Sequence, residues 1–190
     1  MLKIYLTKII RIILKLLFGF DYWHTSPKEN RDYILYANKI IKLKKNKKNI
    51  ADIGCGIGDI SYNLESSYVD YYDKSKEVLK YLKIRNFLKK NKNFYQFDFT
   101  LDKLLKQYDV IILLNFTHNI IEETLHKKIL EFFKVNLKKN GFLILDVIEQ
   151  NKNYKYNHKL NLFFENNKMK RVFISKKMRF NRRIIVVMKN

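Results

Sequence analysis

The arrangement of apolar and polar positions divides the chain into two parts. From Leu2 to Phe18, polar residues recur at every fourth position, which predicts a helix with one polar stripe and an otherwise apolar circumference. The stripe consists of Lys3, Thr7, Arg11 and Lys15. From residue 49 onward, short apolar runs alternate with helical patterns, which is typical of parallel strands joined by helices.

A second helix is predicted after a break at residues 19–25. Ser26 is a good N-cap, and Pro27 fits the first helical position. Glu29 can complete a capping box with Ser26, so we expect this helix to begin at Pro27 and to continue through Ile41.

Five apolar runs predict the strands of a parallel sheet. The fourth contains a continuous apolar run at 110–114, as expected for a central strand that is buried on both faces. The predicted strands are 50–53, 68–72, 93–97, 109–115 and 142–147. The predicted helices between them are 59–65, 77–88 and 122–135. Residues 150–158 are expected to form a loop, residues 159–165 a strand or a short helix, and residues 170–175 and 183–188 an antiparallel hairpin.

These elements predict one α/β domain at 49–190, preceded by an N-terminal amphipathic helix, a loop and a cap helix at 1–48. A chain of 190 residues fits a single domain of ordinary size. The expected fold is a Rossmann-like, doubly wound sheet. It is mostly parallel, ends in an antiparallel hairpin and carries additional helices at its N-terminus.

The first predicted strand runs directly into a glycine-rich turn. Asp52 lies near its end, and Gly54, Gly56 and Gly58 follow at alternate positions. The chain contains only 5 glycines, so three of the five lie in this one turn. Glycine permits positive φ and lets a ligand lie against bare backbone. A strand that enters such a turn is typical of phosphate- or nucleoside-binding sites in open α/β sheets.

Polar residues also follow the next three strands, at Asp73, Asp98 and Asn115. An acid about 20 residues beyond the glycines is placed to hydrogen-bond ribose hydroxyls, and Asp73 suits this position better than its rival Asp70. The spacing of the glycines differs from the dinucleotide fingerprint, whose third glycine comes one residue later, and the lysine of a Walker loop is absent.

Taken in order, these residues resemble class I S-adenosylmethionine-dependent methyltransferases over residues 49–147, including the turn at 139–141. The resemblance implies S-adenosylmethionine as cofactor and methyl transfer as the reaction, with a nicotinamide dehydrogenase as the second choice. The implied cofactor-binding residues are Asp52, Gly54, Cys55, Gly56, Gly58, Asp73, Asp98 and Asn115. Asp52 would orient the amino group, Asp73 the ribose and Asp98 the adenine. Lys74 stands where the family has an apolar residue, so adenine stacking must come from elsewhere.

Two histidines are candidates for a general base. His118 follows the fourth strand at the expected crevice, and His24 lies beside Trp23 in the segment before the core. A positioned histidine contributes about 10²–10⁴-fold when the acceptor must lose a proton. A hydrogen-bonded loop histidine is the alternative in each case. The histidines, the lone Cys55 and the acids do not show metal-ligand spacing, so no metal is expected.

The net charge of +21 attracts nucleic acid, anionic lipid or an acidic substrate, but the basic residues are spread along the whole chain. Compositional bias explains that spread as well, so nucleic acid is not the favoured partner. Because only short segments surround the core, we expect O- or N-methylation of a small-molecule, sugar or lipid acceptor. An RNA methyltransferase and a non-catalytic cofactor- or RNA-binding module are the alternatives.

Residues 2–18 are too short and too charged for a comfortable bilayer span. Such a helix either makes peripheral membrane contact or packs on protein, in its own chain or in a second subunit. The single cysteine excludes an intrachain disulfide and suits a reducing compartment. The expected location is therefore cytoplasmic, with or without membrane association, and the oligomeric state is left open.

Overall fold

The computed structural model describes residues 2–43, 49–62, 64, 67–149, 155–156 and 158–190. Within these residues the chain forms one seven-stranded sheet with the order β3-β2-β1-β4-β5-β7-β6. Its strands are β1 (Asn49–Ile53), β2 (Tyr68–Asp73), β3 (Lys92–Gln96), β4 (Tyr108–Leu113), β5 (Leu137–Ile148), β6 (Lys170–Ile174) and β7 (Arg182–Met188). Strands β1 to β5 are parallel, and β7 is antiparallel to both of its neighbours. The predicted Rossmann-like sheet with a C-terminal hairpin is confirmed.

Helices cover both faces of the sheet. They are α1 (Leu2–Phe18), α2 (Asp32–Leu43), α3 (Lys76–Arg85), α4 (Glu122–Glu131) and α5 (Leu160–Asn166). Alternate residues of a strand point to opposite faces. Thus Val110 and Ile112 of β4 pack in one core with α2 and α3, whereas Ile111 and Leu113 pack in the other with α4 and α5. None of the described helices has the length and apolar character needed to cross a bilayer.

The predicted helix at 59–65 does not form in its described part. Residues 59–62 make successive turns, and the amide of Tyr62 donates to the carbonyl oxygen of Gly58 at 3.0 Å. Gly58 has a φ of +75°, outside the helical region, and the carboxylate of Asp59 is engaged by arginine side chains. The described residues 59–62 therefore form turns and not a continuous helix. Residues 63, 65 and 66 lie outside the described part.

The start of the second helix was also predicted wrongly. Residues Lys28–Asn30 form only a 3₁₀ turn, and Arg31, with φ −121° and ψ 79°, separates that turn from α2. The carbonyl oxygen of Ser26 accepts a hydrogen bond from Arg11, so Ser26 serves as an anchor for α1 instead of a helix cap. α2 begins at Asp32, whose carboxylate accepts the amide hydrogen of Tyr33 at 3.0 Å.

Other boundaries also differ from prediction: α3 ends at Arg85 instead of residue 88, and the end of the helix predicted at 122–135 is a π-helical turn, Phe132–Asn136. β5 begins at Leu137, five residues before the predicted start. The residues of the predicted turn at 139–141 belong to this strand, where the pairing with β4 is irregular and Asn140 has a φ of +58°. Residues 160–166 form helix α5, which decides between the two predicted alternatives. Of the predicted loop at 150–158, residues 150–154 and 157 lie outside the described part.

A buried ion-pair cluster fastens the N-terminal segment to the sheet. Asp59, directly after the glycine turn, accepts from Arg11 of α1 at 2.8 Å and from Arg31 before α2. A third guanidinium, that of Arg85 at the end of α3, lies 3.5 Å from the same carboxylate. The Asp59 side chain is 4% exposed. This cluster brings the segment between α1 and α2 over the glycine turn.

Replacing Asp59 with alanine should therefore destabilise the whole protein. The change leaves Arg11 and Arg31 partly buried without their acid, and breaking such a buried pair typically costs about 3–5 kcal/mol. The measurement is urea unfolding followed by circular dichroism. Glu29→Ala is the matched control, because Glu29 is an exposed acid of the same segment and should change the free energy of unfolding by less than about 0.5 kcal/mol. Equal stability of the two variants would contradict the anchoring role.

Candidate active site

A cavity of about 330 Å³ opens at the carboxyl edge of the sheet. β1 and β4 flank the point where the strand order reverses, and ligands of open α/β sheets bind beside such a point. The ends of β1, β2, β3 and β4 and the segment after α1 all contribute to its lining. The lining includes Gly54, Asp73, Asp98, Asn115, Trp23 and His24. The residues predicted to contact the ribose and the adenine, Asp73 and Asp98, are thus brought together with Asn115, whereas Asp52 is not part of the lining.

A second cavity of about 40 Å³ adjoins the glycine turn. It shares Gly54, Asn115 and His24 with the large cavity. Its other lining residues include Cys55, Gly56 and Arg31. The three shared residues therefore mark the boundary between the two spaces.

The glycine turn has the backbone geometry that its sequence predicts. Gly54, Gly56 and Gly58 have φ values of +63°, +52° and +75°. A Cβ on Gly54 would lie 2.5 Å from the Phe116 ring, and one on Gly56 would lie 2.7 Å from the His24 ring. Glycine is needed at both positions because two aromatic rings approach the main chain directly. Gly58 has a different role, since its closest neighbour is the core residue Leu82 and it lines neither cavity.

Asp73 links the glycine turn to the start of α3. One carboxylate oxygen accepts the amide hydrogen of Gly56 and the other accepts that of Ser75, each at 2.9 Å. Ser75 in turn caps α3 by accepting from the amide of Val78 at 3.1 Å. The rival acid, Asp70, is buried away from the cavity and accepts from the Tyr108 hydroxyl at 2.7 Å. The structure therefore places Asp73 at the cavity and Asp70 in a core network.

Asp98 is held as a carboxylate at the cavity wall. Lys74 lies 2.8 Å from one oxygen, and Thr100 donates both its hydroxyl and its amide hydrogen to the other. The bond from Lys74, together with those from Thr100, holds the pKa of Asp98 well below its usual range. The apolar lining is supplied by Phe97, Phe99 and Phe116. Sequence reasoning missed these aromatics, although two of them flank Asp98 directly in the chain.

Asn115 is held in place by hydrogen bonds with residues of the C-terminal half. Its φ is +69°, and its amide donates to Asp146 of β5 at 2.9 Å. Its side-chain oxygen accepts from Arg182 of β7 at 2.8 Å, and Arg182 lies 3.3 Å from Asp146. Neither Asp146 nor Arg182 was predicted, because no local pattern connects residues this far apart in the chain.

Asp52 lies behind the turn and lines neither cavity, whereas Cys55 lines only the small one. Asp52 is 1% exposed and accepts the Ser61 hydroxyl at 2.5 Å. Burial raises the pKa of Asp52 to about 7, against the smaller opposite effect of the Ser61 bond. Burial also raises the pKa of the Cys55 thiol well above its usual value, so the thiol stays neutral and is a poor nucleophile.

The structure brings one of the two predicted histidines to the cavities. His24 lines both of them and packs on Gly56. Burial lowers the pKa of His24, against an opposite effect of Asp73, so the imidazole is neutral near pH 7. His118 is 8% exposed in the short turn Thr117–Asn119, and it lines neither cavity. Burial lowers its pKa as well.

The model of the methyltransferase small domain family matches residues 37–178. This match covers well over half of the chain, and the chain therefore belongs to the methyltransferase small domain family. The resemblance to class I methyltransferases is confirmed. The comparison with curated proteins gave no significant match.

Solved structures of methyltransferases share the fold. Magnesium protoporphyrin IX methyltransferase from Synechocystis PCC 6803 with bound SAM matches with a TM-score of 0.71 and 18% identity, over 85% of this chain and 80% of that one. The N-methyltransferase NodS from Bradyrhizobium japonicum WM9, in complex with S-adenosyl-l-homocysteine, matches with a TM-score of 0.68 and 11% identity, over 85% and 86%. An O-methyltransferase family 2 protein from Planctomyces limnophilus DSM 3776, in complex with apigenin, matches with a TM-score of 0.61 and 14% identity, over 75% and 50%. At these identities the likeness concerns the fold.

The raised pKa of Asp52 predicts a pH-dependent stability. Asp52 binds its proton more tightly in the folded state than in the unfolded state. The stabilisation of the fold by this proton is therefore fully present below the unfolded pKa of 3.8 and is lost as pH rises to about 7. Relative to Asp52→Asn, the wild type should lose up to about 1.4 kcal/mol per pH unit across this window. Urea unfolding of both proteins over the window tests this. Parallel plots of the free energy of unfolding against pH for the two proteins would contradict the raised pKa of Asp52.

Proposed function

We propose that this protein is an S-adenosylmethionine-dependent methyltransferase that acts on the oxygen or nitrogen of a small-molecule, sugar or lipid acceptor. Its family membership supports the reaction class. The observation that carries the proposal is the cavity between the glycine turn and the two acids Asp73 and Asp98. Its volume of about 330 Å³ lies within the roughly 300–1,000 Å³ typical of small-molecule sites.

The residues of the large cavity fit the nucleoside part of this cofactor. Asp73 accepts from the amides of Gly56 and Ser75 and, at 3.9 Å, from the Cys55 thiol. A carboxylate offers about four acceptor positions, so Asp73 retains capacity for a ribose hydroxyl. Asp98 is ionised and able to accept an exocyclic amino group. Lys74 is paired with Asp98 and offers no apolar surface to the adenine base. Phe97, Phe99 and Phe116 offer that surface instead.

The residues of the small cavity suit the amino-acid end. Arg31 contributes a guanidinium whose buried Nε has no hydrogen-bond partner among the described residues, and this group complements a carboxylate. The fixed main chain of Asn115 lines the same space. Cys55 lines this space with its neutral thiol, and we assign Asp52 to supporting the turn from behind.

The bound cofactor supplies an activated methyl group on a positively charged sulfur. The protein therefore mainly positions the acceptor and excludes water, and good orientation contributes on the order of 7–11 kcal/mol. The neutral imidazole of His24, at the boundary of the two cavities, is the group we propose as the proton acceptor when the nucleophile carries a proton. His118 is the alternative base, and it would have to act from outside the lining of both cavities.

Transfer of a tritiated methyl group from S-adenosylmethionine into fractionated cell extract tests the function. Label in a small-molecule, sugar or lipid fraction supports the proposal. Label confined to RNA would show that the acceptor is RNA and not a small molecule, sugar or lipid. Cofactor binding without transfer to any fraction would indicate a binding module instead of an enzyme.

Asp73→Asn should weaken cofactor binding. The change removes a charge-assisted hydrogen bond, worth about 1.5–3 kcal/mol, and loosens the link to the Gly56 amide. Titration calorimetry with S-adenosylmethionine and S-adenosylhomocysteine measures the effect. The control is Glu123→Gln, which removes the same charge from an exposed residue of α4. This variant should bind the cofactor as the wild type does. Unaltered affinity in the Asp73 variant would remove the ribose assignment.

His24→Gln should lower kcat by about 10²–10⁴-fold if the imidazole takes a proton. Because burial lowers the pKa of His24, the wild-type rate should fall only at acidic pH, below the ordinary histidine value of 6.5. This acidic fall should vanish in His24→Gln and persist in His118→Gln. Rates of methyl transfer measured against pH decide between the two histidines, and the opposite pattern would favour His118.

A further inference from the structure

Three residues of the polar stripe of helix α1 lie toward the protein. Arg11 is buried, and Thr7 and Lys15 are half-buried. Nine large apolar side chains on the other sides of the helix are exposed. They are Leu2, Tyr5, Leu6, Ile9, Ile10, Ile12, Ile13, Leu16 and Leu17, and we call them the outer face of α1. This is the reverse of an ordinary surface helix, which turns its apolar side to the core.

The reversed orientation is held by specific contacts. Arg11 pairs with Asp59 and donates to the carbonyl oxygen of Ser26. Leu14 and Phe18 pack against the core beneath, and the Phe18 ring meets the Tyr81 ring edge-on at 5.3 Å. Rotating α1 to bury its outer face would break the buried ion pair. The fold therefore keeps a contiguous row of large apolar side chains at the surface, which in soluble proteins marks an interaction site.

We propose that the outer face of α1 docks into the interface of an anionic lipid bilayer. α1 contains no acidic residue, its exposed Lys8 lies among the apolar side chains, and the chain carries a net charge of +21. Anionic lipid attracts such a surface, and the apolar side chains gain free energy by entering the boundary between headgroups and acyl chains. The surface thus combines the two components of interfacial binding.

An aromatic pair extends this surface beyond the end of α1. Tyr22 and Trp23 lie in the short turn that follows, and they are 64% and 63% exposed. Tyrosine and tryptophan are enriched at membrane interfaces because each combines an apolar ring with a polar group. Trp23 also lines the large cavity, so the proposed membrane-facing surface borders the candidate active site.

The charge distribution favours lipid over a second copy of the chain as the occupant. Two copies joined through α1 would bring together two helices that contain no acid, on chains of +21 each. Like charges oppose such an approach, whereas an anionic bilayer neutralises them. The membrane contact does not depend on the proposed methyl transfer.

Vesicle sedimentation tests the proposal with the whole 190-residue chain. The wild type should bind vesicles that contain phosphatidylglycerol more tightly than vesicles of phosphatidylcholine alone, and added salt should weaken the binding. The double variant Ile9→Glu with Ile13→Glu places two charges one helical turn apart on the outer face and should bind at least about tenfold more weakly. Leu105→Glu with Leu162→Glu makes the same change in charge at two exposed leucines outside α1 and should bind within about twofold of the wild type.

Fluorescence provides a second readout that does not require a variant to fold. Trp23 is the only tryptophan, so its emission should shift to the blue on addition of phosphatidylglycerol vesicles. Unchanged emission together with absence of wild-type binding would overturn the proposal. Equal binding by the two double variants would overturn it as well. A dimer in lipid-free solution that only the Ile9/Ile13 variant converts to monomer would assign the face to a second copy instead.

Discussion

The carboxylate of Asp59 is the constraint on which the arrangement of the N-terminal segment depends. It lies directly after the glycine turn and is shared by guanidinium groups from α1, from the segment before α2 and from α3. A buried charge is costly unless it is paired, so these three elements cannot move independently of the turn. One acid thereby connects the first helix of the chain to the edge of the sheet where the cavity opens.

This connection makes the N-terminal segment part of the candidate site. With α1 and Arg31 both held by Asp59, the intervening turn places the His24 ring against Gly56. The same ring then borders the large cavity and the small one. Whether residues 1–48 constitute a unit separate from 49–190 stays a prediction, but α2 contributes Ile34 and Ala37 to the core that contains β1.

The orientation of α1 follows from the same pairing. In a free helix, the wide apolar side would be expected to find the core and Arg11 to find water. Here Arg11 pairs with Asp59, and the guanidinium contributes further hydrogen bonds to main-chain carbonyl groups. The free energy gained by keeping the buried Asp59 carboxylate paired with Arg11 outweighs the cost of exposing the isoleucine and leucine side chains to water. Reversing the helix would take this partner away from Asp59. The outer face is therefore a consequence of the anchoring and not an isolated irregularity.

The sequence by itself determined the sheet, the glycine turn and the set of residues at the strand ends. These features depend on short-range patterns, namely the alternation within strands and the bare backbone of Gly54 and Gly56, and parallel strands bring their carboxyl ends to one edge. Only the tertiary structure decided that His24 and not His118 lines the cavities, that Lys74 pairs with Asp98, and that Arg11 of the polar stripe of α1 faces inward. In each case the deciding contact joins residues that no local pattern relates, since buried charges and rings choose their partners by proximity in the folded chain.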